Sequence, residues 1–214
     1  MRVTAKAKRQ TREKILEVTA NLFQQKGFEE TTTRDIAAQA NIATGTLFNY
    51  FPTREALALA IVGKCLEEAR QEFLSRLRGD EGPSERLFAH VAASLRHLRQ
   101  HRKYIAVLLE GSLNPTGGNS ADAQGADSVR RLHLETVQEI LSSNGAARLE
   151  ELSTLTLHLY WTLFLGVVSF WAADQSPHQE DTLVLLDQSM TLFINSLSRG
   201  PTASAEGGHE QQTQ

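Results

Sequence analysis

Residues 31–57 read TTTRDIAAQANIATGTLFNYFPTREAL. Thr32, with Asp35 three residues later, has the form of a capping box and starts a short helix whose Ile36, Ala37 and Ala40 share one face. Asn41 tolerates a positive φ and can make the turn that Ile42 then anchors. A second short helix over residues 44–50 stops at Phe51, because Pro52 biases the residue before it out of the α region. Such a pair could be a piece of a small core. Gly45 speaks against that, since inside a helix of two turns it costs about 1 kcal/mol relative to Ala and so points to a close backbone approach by something else. Thr44, Thr46, Asn49 and Tyr50 form a polar exposed face around it, while Leu47 and Phe51 at i and i+4 turn to the core.

Outward from this stretch the chain reads as helices throughout. Residues 11–26 carry Ile15, Val18, Leu22 and Phe23 at helical spacing; Gly27 is suited to the left-handed closing position and Phe28 to its hydrophobic contact. Thr53 caps a fourth helix whose apolar stripe, Leu57 through Leu77, runs until Gly79. Helices are expected over about residues 84–100, 103–113, 128–143 and 148–173, then a ninth with a stripe of Leu183, Leu186, Met190, Phe193, Ile194 and Leu197. Residues 114–127 (NPTGGNSADAQGAD) read as a mobile loop and residues 200–214 as a disordered tail. The expectation is an all-α, nine-helix, two-domain chain: a three-helix head in residues 1–52 and a helical body in residues 53–199, with the fourth helix joining them.

The face of the 44–50 helix has the chemistry of a reader of base pairs. Small residues at its N-terminus let backbone N–H groups and the positive end of the helix dipole meet phosphate, and its hydrogen-bonding side chains can reach base edges in a major groove. Thr33, Arg34, Thr53 and Arg54, at the starts of the flanking helices, supply hydroxyls, guanidinium groups and N–H groups to grip the backbone on either side. The formal charge of −3 divides in the same sense: residues 1–64 hold ten Lys or Arg against six Asp or Glu, net +4, and the remainder is net −7. Lys6, Lys8, Arg9 and Arg12 precede or open the first helix, where they are either a solvated tail or a DNA-gripping arm.

The quoted stretch resembles the helix-turn-helix signature of the TetR family of bacterial repressors, and the resemblance is specific over residues 11–64. It implies backbone contacts from Thr33 and Arg34 and base or phosphate contacts from Thr44, Gly45 and Thr46. It extends to Phe48, Asn49 and Tyr50, and to Arg54, which stands where the family commonly has a phosphate-binding Lys. Three departures are visible: Ala43 in place of a capping Ser, Asn41 in place of a turn Gly, and Phe48 in place of a Tyr. The first weakens a cap by ~1 kcal/mol; the last removes a hydroxyl and leaves an apolar contact, for example with a thymine methyl.

In the body, the eighth helix is apolar almost all round from Leu155 to Trp171, more than one subunit can hide, and the ninth carries a second stripe. A homodimer through these two helices is expected, and it would place two heads on a palindromic operator. The resemblance also implies a ligand cavity among helices 4 to 8, for which Phe88, Tyr104, Leu108, His158, Tyr160, Trp161 and Phe164 are candidates, suited to a hydrophobic or aromatic effector. His90, His97 and His101 share a helix face, but only the last two are close enough to chelate together and no acidic partner is evident in sequence, so no metal and no cofactor is assigned. The lone Cys65 reads as a small core residue. The chain shows no signal h-region and no run of about 18 uncharged apolar residues, which favours a cytoplasmic protein without a membrane partner. An enzyme is disfavoured because no Glu-x-x-His, His-Glu-x-x-His, Gly-x-Ser-x-Gly or Gly-rich phosphate loop occurs. The other alternative is an all-α interaction module that keeps the fold without using DNA.

Overall fold

The computed structural model describes residues 4–111, 123–143 and 153–198. Among them are nine α-helices and two short 3-10 turns. The helices are α1 (Ala5–Lys26), α2 (Thr33–Ala40), α3 (Thr44–Tyr50), α4 (Arg54–Arg76), α5 (Pro83–Leu98), α6 (Arg102–Gly111), α7 (Ala123–Ser143), α8 (Thr154–Ala173) and α9 (Glu180–Ser198).

The short helices obey their local chemistry. Thr32 Oγ1 accepts from Asp35 N at 3.1 Å, and Asp35 Oδ2 accepts from Thr32 N at 3.1 Å, which completes the capping box. These bonds to Thr32 hold the Asp35 carboxyl below its ordinary pKa. Asn41 closes α2 in the left-handed region at φ 57° and ψ 49°. Ala43, lacking a side-chain acceptor, leaves α3 without a capping bond, and α3 is held instead by Leu47, fully buried, and Phe51 beside it. Thr53 Oγ1 caps α4 by accepting from Ala56 N at 2.9 Å.

Several boundaries differ from those expected. The first helix begins at Ala5, because Thr4 accepts from Ala7 N and caps it, so Lys6, Lys8 and Arg9 are helical instead of a loose arm. Residues 123–127, expected in the loop, already form the first turn of α7; residues 114–122 and the expected tail, 200–214, lie outside the described residues. Ser153 caps α8 by accepting from Thr156 N at 3.1 Å, so the helix starts at Thr154. The expectation that no segment has the makings of a membrane span also fails. α8 contains 20 residues without a charge and reaches a mean hydropathy of 1.4, long and apolar enough by length and composition alone. Its Tyr160, Trp161, Phe164, Val167, Val168 and Trp171 are nonetheless buried against protein.

α4 is the spine of the fold. Leu57, Ala58, Leu59, Ile61, Val62, Leu66, Ala69 and Phe73 are all buried along it, and it packs on α1 at one end and on α5 and α7 along the rest. Ion pairs follow the same path: Lys64 meets Glu13 of α1 at 3.1 Å, Arg70 meets Glu139 of α7 at 3.0 Å, and Glu72 meets Arg96 of α5 at 2.8 Å. The head is fastened to α6 by an aromatic trio in which Phe23 lies 5.1 Å from both Phe28 and Tyr104, and Phe28 stacks on Tyr104 at 5.8 Å.

Candidate functional site

α1, α2 and α3 share one small core, in which Ile15, Ile36 and Leu47 are fully buried. Because Leu47 and Phe51 take the inner face of α3, the chain geometry turns Phe48 and Asn49 outward. Phe48 is 47% exposed, high for a large apolar ring. Thr44 and Thr46 are half-buried at the flanks of this face. A Cβ added at Gly45 would meet nothing within 4 Å beyond its own stretch of helix, so no contact among the described residues accounts for a glycine here. At the start of α2, Thr33 is half-buried and Arg34 exposed.

Two residues expected to face DNA, Arg54 as a flanking anchor and Tyr50 on the polar face of α3, make contacts within the protein. Arg54 donates to the carbonyls of Phe28 and Glu29 at 3.0 and 2.8 Å, pairs with the Glu29 carboxylate at 3.1 Å, and lies 4.3 Å over the Phe28 ring. Its guanidinium fastens the start of α4 to the α1–α2 connection, so a phosphate would have to compete with bonds already made. Tyr50 is half-buried and packs against the core instead of standing on the polar face. Its ring borders a cleft of about 590 Å³ between head and body, which Arg12, Lys64 and Val129 also line.

In the body, the candidate ligand residues are dispersed. Leu108, Trp161 and Phe164 are buried, and Phe88 is half-buried against the core. Tyr104 belongs to the aromatic trio at the head, where it also borders a cleft of about 630 Å³ with Arg99, Arg102 and Lys103. His158 is exposed on α8, one turn after Leu155 and next to Leu159, both exposed, and so stands apart from the buried rings. Trp161, Phe164 and Tyr160 do come together, around a residue the sequence reading passed over: His133 of α7, fully enclosed, with Nε2 2.9 Å from Tyr160 Oη. Its position in the stripe with Val129, Val137 and Ile140 was the available signal.

The three histidines of the α5 region separate. His90 is buried against His133, His101 is buried beside Tyr104, and His97 Nε2 lies 2.7 Å from the Glu72 carboxylate of α4. The acidic partner that looked missing therefore comes from a neighbouring helix. Cys65 is buried in α4, and desolvation pushes its thiol up to about 12.

The sequence matches two family profiles, one described as bacterial regulatory proteins of the tetR family over residues 15–61, the other as a tetracyclin repressor-like C-terminal domain over residues 86–206. The chain belongs to the TetR family. Curated relatives of this TetR-family chain include the uncharacterized HTH-type transcriptional regulators YuxN and YerO of Bacillus subtilis. YuxN is 28% identical over 100 residues, 46% of this chain and 34% of its own length. YerO is 27% identical over 108 residues, 49% of this chain and 37% of its own. The HTH-type transcriptional repressor KstR2 of Mycobacterium tuberculosis is 27% identical over 96 residues, 45% of this chain and 48% of its own. The chain thus spans about a third to a half of the length of these relatives. Among solved structures, Thermus thermophilus FadR in complex with lauroyl-CoA is 26% identical with a TM-score of 0.62, over 92% of this chain and 100% of that one. A TetR regulator from Rhodococcus sp. RHA1 shares the fold at 20% identity and a TM-score of 0.67, over 87% of this chain and 98% of that one.

Within this TetR-family chain α4 begins inside the first matched profile and runs into the stretch between the two, the second starting at residue 86. That helix follows α3 directly, with Thr53 as its N-cap, and reaches the buried rings of the body through Phe73, which lies 5.4 Å from His90.

Proposed function

We propose that this chain is a ligand-responsive repressor: residues 1–52 bind a palindromic operator, and residues 53–199 dimerise and sense a small hydrophobic or aromatic effector in the cytoplasm. The observation that carries this reading is the outer face of α3, where Thr44, Gly45, Thr46, Phe48 and Asn49 stand over a firm apolar anchor and Gly45 leaves room that no described part of the chain uses. In a major groove, Thr46 and Asn49 would meet base edges and Phe48 a thymine methyl, with Thr33, Arg34 and Thr53 on the phosphates. Arg54 acts as the strut that sets the angle of α4 against the head, and Tyr50 as packing.

Dimerisation is supported by the apolar residues that α8 and α9 leave outside: Leu155, Leu159 and Phe170 on the first, Leu183, Val184 and Leu192 on the second. Leu155, Leu159, Gly166 and Phe170 recur at intervals that keep them on one face of α8, and the small Gly166 permits close approach of a partner helix. The effector would act by favouring a dimer geometry that misfits the operator, with α4 carrying the change from body to head. No catalytic role is assigned to any residue.

The deciding experiment replaces Thr46 and Asn49 by Ala. Both side chains lie outside the core, so the fold should persist by circular dichroism while affinity for an operator selected from genomic fragments falls by at least tenfold, since one good base contact is worth about 1–3 kcal/mol. A folded variant that binds the selected duplex as tightly as the parent would end the proposal.

A further inference from the structure

Head and body do not close fully on each other. The cleft of about 590 Å³ that Tyr50 borders is walled by α1 and the α3–α4 corner on the side of the head and by α4 and α7 on the side of the body. Tyr50, Ala56, Ala60 and Gly63 on one wall and Leu132 on the other are only half-buried, so this space is lined in part by apolar surface still open to water. Its size falls in the range of sites that hold small organic molecules. None of the packed rings around His133 lines it.

Two features of the cleft are unexplained by packing. The first is Gly63, in the interior of α4, where glycine weakens a helix relative to alanine. Beyond its own helix an added Cβ would meet only Val129 Cγ2, at 3.8 Å, an ordinary contact that alanine would accept. Gly125 on the facing helix differs: its Cβ would come within 3.2 Å of Leu59 Cδ1, so the close approach of α7 to α4 accounts for it. What Gly63 contributes is space in the cleft. The second feature is Arg12 of α1. Its guanidinium lies 5.0 Å over the Phe51 ring, and it forms no ion pair among the described residues. The other charged residues of the cleft, Glu13 and Lys64, pair with each other at 3.1 Å. One positive charge is therefore left uncompensated beside apolar surface.

We infer that this cleft binds a small amphipathic monocarboxylate, with the carboxylate on the Arg12 guanidinium and the apolar body against Tyr50, Ala60 and Leu132 in the space that Gly63 leaves. An arginine held over a ring presents a planar fork of donors that matches a carboxylate. A single negative charge follows from the single uncommitted cation, since a second would meet the Glu13 carboxylate. The apolar body follows from the half-buried alanines and Leu132, whose remaining exposed surface a ligand would cover. Such a molecule would touch α1 and α3 of the head and α7 of the body at once. It lies outside the interior of the body and goes beyond the operator-binding proposal.

The test uses the full chain in calorimetry without DNA. Three probes share one body and differ in charge: 3-phenylpropionate, 3-phenylpropionamide and 3-phenylpropylamine; octanoate supplies an aliphatic body. Both carboxylates should bind saturably, the amide roughly tenfold more weakly, as loss of a charge-assisted pair implies, and the amine not at all. Arg12→Gln should bring 3-phenylpropionate down to the affinity of the amide. Gly63→Ala should raise the melting temperature, because alanine is the better helix former, and still weaken 3-phenylpropionate by about threefold to tenfold. Ala60→Leu, which fills the cleft, should abolish binding with helix content unchanged by circular dichroism. A Gly63→Ala protein that melts higher and binds 3-phenylpropionate as the parent does would overturn the inference. So would a parent that binds neither carboxylate, or that binds acid, amide and amine alike. A probe lodged in the interior of the body would be indifferent to Arg12→Gln and Gly63→Ala together, which also overturns it. Because no titration contains DNA, each of these results is independent of whether the head binds an operator.

Discussion

Asn41 shows how a single backbone angle supports the reading head. At φ 57° it reverses the chain between α2 and α3, and its N–H bonds back to Ala38 O at 3.1 Å. Asn41→Gly should therefore leave urea stability within a few tenths of a kcal/mol, while Asn41→Val should cost about 1–2 kcal/mol, the penalty of forcing a β-branched residue into the left-handed region. This position, the Thr32–Asp35 box and the Thr53 cap were legible in sequence because each is local chemistry within four residues. Arg54 and His133 were not, since what they touch lies 25 or more residues away. Burial of His90, His101 and His133 carries its own consequence. Their pKa values lie below the ordinary 6.5 in the folded chain, so the unfolded chain binds more protons as pH falls below that value. Stability should be fully present above about pH 6.5 and decline toward pH 4, by up to roughly 1.4 kcal/mol per pH unit for each histidine. Urea midpoints across this range should show the decline, with a shallower slope in His90→Leu.

At the level of elements, α1 departs most from expectation and changes what its charges can do. As a loose arm, Lys6, Lys8 and Arg9 would pay ordering entropy on meeting DNA; as the capped first turns of a helix that starts at Ala5, they are already held in place. All three are exposed, and they extend from the same helix whose Ile15, Leu22 and Phe23 build the head core. Sequence patterning missed these turns because it follows apolar residues, and a solvated helix end has none on its buried side. Each phosphate contact contributes roughly −0.9 to the slope of log K against log salt. Replacing Lys6, Lys8 and Arg9 by Ala should thus flatten the operator-binding slope by about 2 to 3, with no change in base preference. An unchanged slope would return these residues to the solvent. The eighth and ninth helices were legible for the converse reason: a helix apolar on every side announces burial, though not which face meets which neighbour.

For the whole molecule, the outer faces of α8 and α9 and the short reading head are two halves of one requirement. In the proposed reading the head offers DNA a single helix of seven residues, too little surface for a tight grip by itself, and a second copy on a half-site about 34–36 Å away would convert its binding into a nearly intramolecular step. Leu192 is 67% exposed and Val184 56% exposed, so in an isolated subunit a glutamate at either place would sit in water. Surface changes of that kind usually shift stability by about 0.5 kcal/mol or less. In a dimer sealed by these helices the same glutamates would be buried opposite their own copies, without partners and repelling each other. Val184→Glu with Leu192→Glu should therefore give a helical monomer in sedimentation experiments, with operator affinity reduced at least a hundredfold although no DNA-facing side chain has changed. If that variant remains dimeric and binds its palindrome normally, the pairing surface lies elsewhere and the apolar stripes of α8 and α9 need another occupant.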